Sequence, residues 1–323
     1  MATELFVFGG PAPVPPECRQ APAPLPRWTS MGPETAVLGL PPLRLRVAAT
    51  QIVPSLSLLT EREHTFRFEA RSAASHAWSP LSPVGPHPWA ASEPSDPCLR
   101  PAIDLYTASP PVEELRLRVW VHSAELAAVT AAPALCAVSA SDDDPEGGSA
   151  AAGPVALEVP ALSQMETPEA IRHRICSPTS VAMVLGYWGR EATPAALAAE
   201  VFHPALEIYG VWPAAVRAAA ARGVAGYLLR FPDWSAARWC LERGLPIVAS
   251  VRYVAGELTD AAIGATPGHL LVLVGLEGDA VLVNDPAAPT AASVPRRYRA
   301  DEFGKVWLAR GGVGYVLFDP ARL

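Results

Sequence analysis

The period of hydrophobic and polar positions changes near the middle of the chain. In the first half, residues 65–71 (Thr-Phe-Arg-Phe-Glu-Ala-Arg) and 115–121 (Leu-Arg-Leu-Arg-Val-Trp-Val) alternate apolar with charged side chains. A period of two is the mark of half-buried strands. Proline is dense here, with 22 of 36 prolines in residues 1–150, and it breaks helix interiors. The pattern predicts a β-rich, sandwich-like domain over residues 1–140, its first 45 or so residues irregular. A linker follows over 141–155, because the acidic, small-residue run at 141–149 cannot build a core.

The second half reads differently. Residues 178–187 are apolar and helix-like before Gly189, and the stretches 194–202 and 213–222 each carry a proline near a helix start. Residues 246–251, 269–276, 280–284 and 314–318 are β-rich and separated by glycine-containing loops. Helices followed by a mostly antiparallel sheet predict an α+β domain over 156–323.

Composition narrows the function classes. A chain of 323 residues has room for two cores. Its 25 basic and 32 acidic residues give a net charge of −7, the wrong sign for a nucleic-acid partner. No apolar run approaches the ~18 residues of a membrane span. The amino terminus lacks the basic start and apolar run of a secretory leader, so the expected location is cytoplasmic, or extracytoplasmic if a leader is missing. Five scattered cysteines form neither a disulfide framework nor a zinc pattern, and no cofactor is expected.

One cysteine carries chemistry. Cys176 precedes Ser177-Pro178-Thr179-Ser180 and an apolar run, which sets its sulfur at a helix N-terminus where free amides favour an anion. His269 stands at the start of the buried run 270–276, where a polar residue calls for a reason. The turn at 277–279 returns the chain to Asn284-Asp285. With a three-residue loop Asp285 falls opposite Leu271, on the face of His269, whereas a two-residue loop puts the two side chains on opposite faces. Cysteine, histidine and aspartate would then be nucleophile, base and orienting group, and the Gln164 amide is a candidate oxyanion donor.

These residues carry a resemblance. Gln164, the stretch from Cys176 to Gly189, Gly268-His269 and Val283-Asn284-Asp285-Pro286 resemble the C39-like cysteine peptidases, relatives of papain. The likeness extends through Tyr209-Gly210-Val211-Trp212-Pro213, residues 244–250 and residues 296–303. It implies a papain-like fold in which Cys176, His269, Asp285 and Gln164 hydrolyse a peptide or amide bond, with Tyr209, Trp212 and Gly268 on the substrate cleft. Two departures stand out: Ser177 and Val211 occupy positions where many relatives have glycine and asparagine. The chain also lacks the phosphate loop of the transporter-linked members. The alternatives are an acyl transferase using an amine acceptor and a silent binding module. The first half resembles the β-sandwich that precedes this domain in some bacterial members, and Trp78 and Trp89 are candidates there for a polymer or protein groove.

Overall fold

The computed structural model describes residues 2–89, 96–142 and 153–322. The first half forms one nine-stranded antiparallel sheet. Its strands are β1 (Thr3–Gly9), β2 (Thr29–Ser30), β3 (Thr35–Gly39), β4 (Leu43–Leu58), β5 (Thr65–Ser72), β6 (Ser79–Pro80), β7 (Leu99–Pro101), β8 (Tyr106–His122) and β9 (Ala134–Ser141), with helix α1 (Leu126–Ala131) before the last. The strand β8 organises the rest. Its second half is flanked by β3 and β5, while its first half pairs with β4 and β7.

The first 45 residues are not irregular throughout, which corrects the expectation from the sequence. β1 lies in register with β9, Thr3 opposite Ser141 and Gly9 opposite Leu135. Its other edge receives the returning chain, Leu5 N–H donating to the Cys18 carbonyl at 2.7 Å and Ala23 N–H to that of Val7 at 3.1 Å. The run Leu5-Phe6-Val7-Phe8 is covered almost throughout, so it lacks the alternation by which a half-buried strand is recognised. The expected linker lies mostly outside the described residues; Ser141 ends β9, and Val155 already pairs with the second sheet.

The second half comprises β10 (Val155–Ala156), α2 (Cys176–Tyr187), α3 (Pro194–Val201), α4 (Trp212–Ala220), β11 (Ala225–Arg230), α5 (Trp234–Glu242), β12 (Ile247–Tyr253), β13 (Thr266–Glu277), β14 (Ala280–Asn284), β15 (Pro295–Arg299), α6 (Ala300–Val306) and β16 (Val313–Phe318). Its antiparallel sheet runs β11-β16-β12-β13-β14-β15, with β10 added on β13. The strand β11 and helix α5 fall between the helical run and the main sheet, a mixing that the expected segregation of helices and strands did not include. Among the described residues no helix is long and apolar enough to cross a membrane.

The two halves share one continuous apolar core. Their junction has a specific cause. β11 is an edge strand, and an edge strand exposes unpaired backbone groups. Three serines of the first sheet meet them. Ser57 Oγ accepts from Gly226 N–H and donates to the Gly226 carbonyl, both at 2.9 Å, while Ser55 and Ser139 accept from Leu228 and Arg230 N–H at 3.1 Å. Asp104 reaches across likewise, its Oδ1 accepting from Trp212 N–H at 2.9 Å and supplying the cap that Val211 lacks at the start of α4. In the first half the Trp78 ring is already engaged by the Arg71 and Arg118 guanidiniums, at 5.1 and 4.2 Å.

Replacing a buried hydroxyl that satisfies both polar groups of one residue leaves them orphaned, at about 1–3 kcal/mol. Ser57→Ala is therefore expected to lower stability by that amount in urea unfolding, within a single transition. Two separate transitions, only one of them shifted, would contradict a shared core.

Candidate active site

Cys176 is the first residue of α2, whose cap, Ile175, has no side-chain hydrogen bond to offer. The first-turn amides are thus free to face the sulfur, and Ser177 N–H does so. The helix is gripped by β13 at one residue: Leu270 N–H donates to the Cys176 sulfur, and the Leu270 carbonyl accepts from Ser180 Oγ at 3.1 Å. That contact sets His269 beside Cys176.

The hairpin that delivers Asp285 differs in detail from the expected one. Its loop has two residues, Glu277 pairing with Ala280, and Gly278 takes φ +61°, the left-handed region that a tight hairpin loop demands of its first position. By itself this register would turn Asp285 away from His269. A bulge corrects it: Leu276 pairs with Val281 and Gly275 with Leu282, but Leu273 pairs with Val283, so Val274 has no partner on β14. Beyond the bulge Val272 faces Asn284, and one more step sets Asp285 opposite Leu271. The two side chains share a face, and His269 Nε2 lies 2.8 Å from Asp285 Oδ1.

With Nε2 committed to Asp285, Nδ1 is the ring nitrogen left for the Cys176 sulfur, to which His269 is hydrogen-bonded. Asp285 is fully buried and each oxygen has further support: Oδ1 accepts from Ala287 N–H at 3.0 Å and Oδ2 from the Tyr298 hydroxyl at 2.9 Å. Burial alone would drive His269 toward its neutral form, but the charge and hydrogen bond of Asp285, with Cys176, raise its pKa to about 10. Burial likewise would push the Cys176 thiol up; the hydrogen bond and charge of His269, with the amides of Leu270 and Ser177, outweigh it and hold the thiol below its ordinary value. Desolvation also opposes the Asp285 charge, yet His269, Ala287 and Tyr298 keep its pKa low. The set favours thiolate beside imidazolium beside carboxylate.

Residues 156–315 match the model of the Peptidase_C39 like family. This segment belongs to that family. Among solved structures, a candidate C39-like peptidase from Bacillus anthracis is similar at 19% identity, over 51% of this chain and 98% of that one, with a TM-score of 0.41. The peptidase domain of Streptococcus ComA, a bi-functional ABC transporter involved in a quorum sensing pathway, is similar at 14% identity, over 50% and 98%, with a TM-score of 0.34. No curated protein matches the chain.

The other residues singled out in this C39-like domain fall as follows. Gln164 lies next to the hairpin end, its backbone N–H donating to the Pro286 carbonyl at 2.9 Å. Its Nε2 donates to the Arg172 carbonyl at 2.7 Å, which leaves a second amide hydrogen, and its Oε1 is buried without a partner. Tyr209, Trp212 and Gly268 border the same cavity of about 700 Å³ as the half-buried Cys176. The cavity is bounded on one side by the first half, through Gln51, Ile103, Asp104 and Leu105. Burial pushes the Asp104 carboxyl up to about 7 against the opposing hydrogen bond from Trp212. A second cavity of about 520 Å³, at His64 and Arg217, shares no lining residue with it. His173 is exposed, its ring accepting from Arg172 Nε at 3.4 Å. The glycine-containing segment before His269 is tied to α6 and β15: Thr259 bonds Glu302 through its N–H and hydroxyl, at 2.8 and 3.0 Å, and Ala262 N–H reaches the Tyr298 hydroxyl at 3.3 Å. Among the described residues no metal-holding group of His, Cys, Asp or Glu occurs.

Tyr298 had no assigned role from sequence. The only hint was its place as the aromatic residue within an arginine run.

A Cys176→Ala background isolates the His269–Asp285 pair. The raised His269 pKa then contributes stability that is complete below the unfolded value near 6.5 and lost as pH rises through the folded value. Urea midpoints should accordingly fall with rising pH from about 6.5, and adding Asp285→Asn should flatten that slope. An unchanged slope in the double variant would show that Asp285 does not hold the imidazolium.

Proposed function

We propose that the protein is a cysteine peptidase with Cys176 as nucleophile, His269 as proton carrier and Asp285 as the group that orients and charges His269. The observation that carries this is the hydrogen-bonded chain from the sulfur through the imidazole to a fully buried carboxylate, open to a cavity only at Cys176. The Cys176 thiolate adds to the carbonyl carbon of a peptide bond. The proton on His269 passes to the leaving amine as the C–N bond breaks, giving a thioester on Cys176. His269 then takes a proton from water, whose oxygen adds to the thioester carbonyl and releases the acid and the thiolate. The free amide hydrogen of Gln164, with the Cys176 N–H, is the proposed donor pair for the oxyanion.

We further read residues 1–140 as a sandwich-like domain, 141–155 as a connection and 156–323 as the peptidase domain. Tyr209, Trp212 and Gly268 are assigned to substrate contact. Three features support them: all border the cavity, Trp212 is anchored by Asp104, and a Cβ added at Gly268 meets nothing within 4 Å. The first half contributes a wall of the cleft and is therefore more than a tethered module.

The test is digestion of a proteome-derived peptide library by the full chain, read by mass spectrometry of new termini. Cleavage is expected with the wild type, and Cys176→Ala should abolish it, a fall of at least about 10³-fold. Equal cleavage by both proteins would refute the assignment.

A further inference from the structure

The cavity at Cys176 is positive in a chain whose net charge is −7. Four arginines line it, Arg174, Arg230, Arg252 and Arg310, against the single carboxyl group of Asp104. Two of the four are occupied structurally. Arg310 pairs with Glu257 at 2.6 Å and donates to the Arg252 carbonyl at 2.9 Å. Arg230 is 1% exposed and donates to the Gly311 carbonyl at 2.7 Å and to Ser141. The other two retain uncompensated charge. Arg174 stacks over Tyr209 at 5.3 Å and donates to the Glu207 carbonyl, a neutral acceptor, and its guanidinium has no carboxylate partner among the described residues. Arg252 is exposed and its guanidinium has no partner among them.

Their placement matters as much as their charge. In the β12–β13 ladder Val251 pairs with His269 and Tyr253 with Thr266, so Pro267 and Gly268 together face Arg252. Such a bulge re-aims the residues around it, and Arg252, Pro267 and Gly268 all border the cavity. Arg252 therefore stands one residue from the strand partner of His269. Arg174 stands two residues before Cys176, on a different element. Solvated surface arginines need no ligand. These two differ by standing near Cys176 and His269 on separate elements and by lining a cavity whose one carboxyl group, Asp104, is bonded to Trp212 N–H instead of to either guanidinium.

We propose that the cleft selects peptides carrying Asp or Glu side chains close to the scissile bond, with Arg252 and Arg174 as specificity-determining residues. The inference rests on the peptidase reading, and its test separates the two. Termini from the library digest are expected to be enriched in acidic residues beside the cut. For two peptides differing only by Asp or Lys at the enriched position, the wild type should favour Asp by roughly tenfold in kcat/KM at low salt. Added salt should shrink that preference, and Arg252→Glu should bring it to parity or reverse it, with Arg174→Gln reducing it. Cleavage without acidic enrichment, or a preference unmoved by Arg252→Glu, overturns the proposal and leaves the peptidase reading standing.

If no peptide is cut, the peptidase reading fails instead, and the charge of the cleft is read from Cys176 alkylation. The rate with anionic iodoacetate relative to neutral iodoacetamide should then fall by at least roughly threefold in Arg252→Glu. An unchanged ratio removes the anion-selecting cleft.

Discussion

An imidazolium that is 1% exposed exists only where a counter-charge is fixed beside it, and the contact between His269 and Asp285 is the one on which the rest of the site depends. Removing two such groups from water costs more than the pair alone returns unless the remaining hydrogen-bonding positions are filled. Here they are filled by Ala287 N–H and the Tyr298 hydroxyl on the carboxylate, and by Cys176 on the ring. The protein obtains this geometry through backbone irregularity. Without the bulge at Val274 the two-residue loop would aim Asp285 at the other face, and neither the imidazolium nor the thiolate would have support.

The same logic extends outward. The domain that holds the site has an edge strand, β11, and its polar groups are satisfied by Ser55, Ser57 and Ser139 of the neighbouring sheet rather than by another strand. Gly226 belongs to this arrangement: a Cβ there would lie 2.4 Å from Leu317 Cδ2 and 3.1 Å from the Val316 carbonyl. With Asp104 capping α4, the first half is packed where it also forms a cleft wall. The junction that joins the two halves thus also forms one wall of the cavity at Cys176.

Much of this was legible in the residues. The apolar, helix-like run before Gly189 and the apolar runs around 270 and 281 located α2, β13 and β14 because those segments are mostly buried. Cys176, His269 and Asp285 were found as chemically unusual residues within them, and the structure brings the three together. What was hidden was register and edge chemistry. Val274 looks like any other strand valine, so the bulge leaves no compositional trace. β1 was missed because cover on both sides erases alternation. Ser55, Ser57 and Ser139 read as polar filler, their meaning arising only from a partner strand about 90 to 170 residues away. Tyr298 was hidden for a related reason, since one hydroxyl on a buried carboxylate has no sequence pattern of its own.

The site works only if Cys176 is a thiolate held by His269. The direct measurement is the rate of iodoacetamide modification across pH 4 to 9, mapped to individual cysteines, in the wild type and in His269→Ala. Half-buried Cys98 serves as the internal comparison, because Cys18, Cys136 and Cys240 are buried with pKa values pushed up to about 12 or beyond. Rapid modification of Cys176 is expected well below the ~8.5 of a free thiol, with a profile that moves up in pH when His269 is removed. Modification of Cys176 no faster than Cys98 at pH 6, and unaltered by His269→Ala, would contradict it.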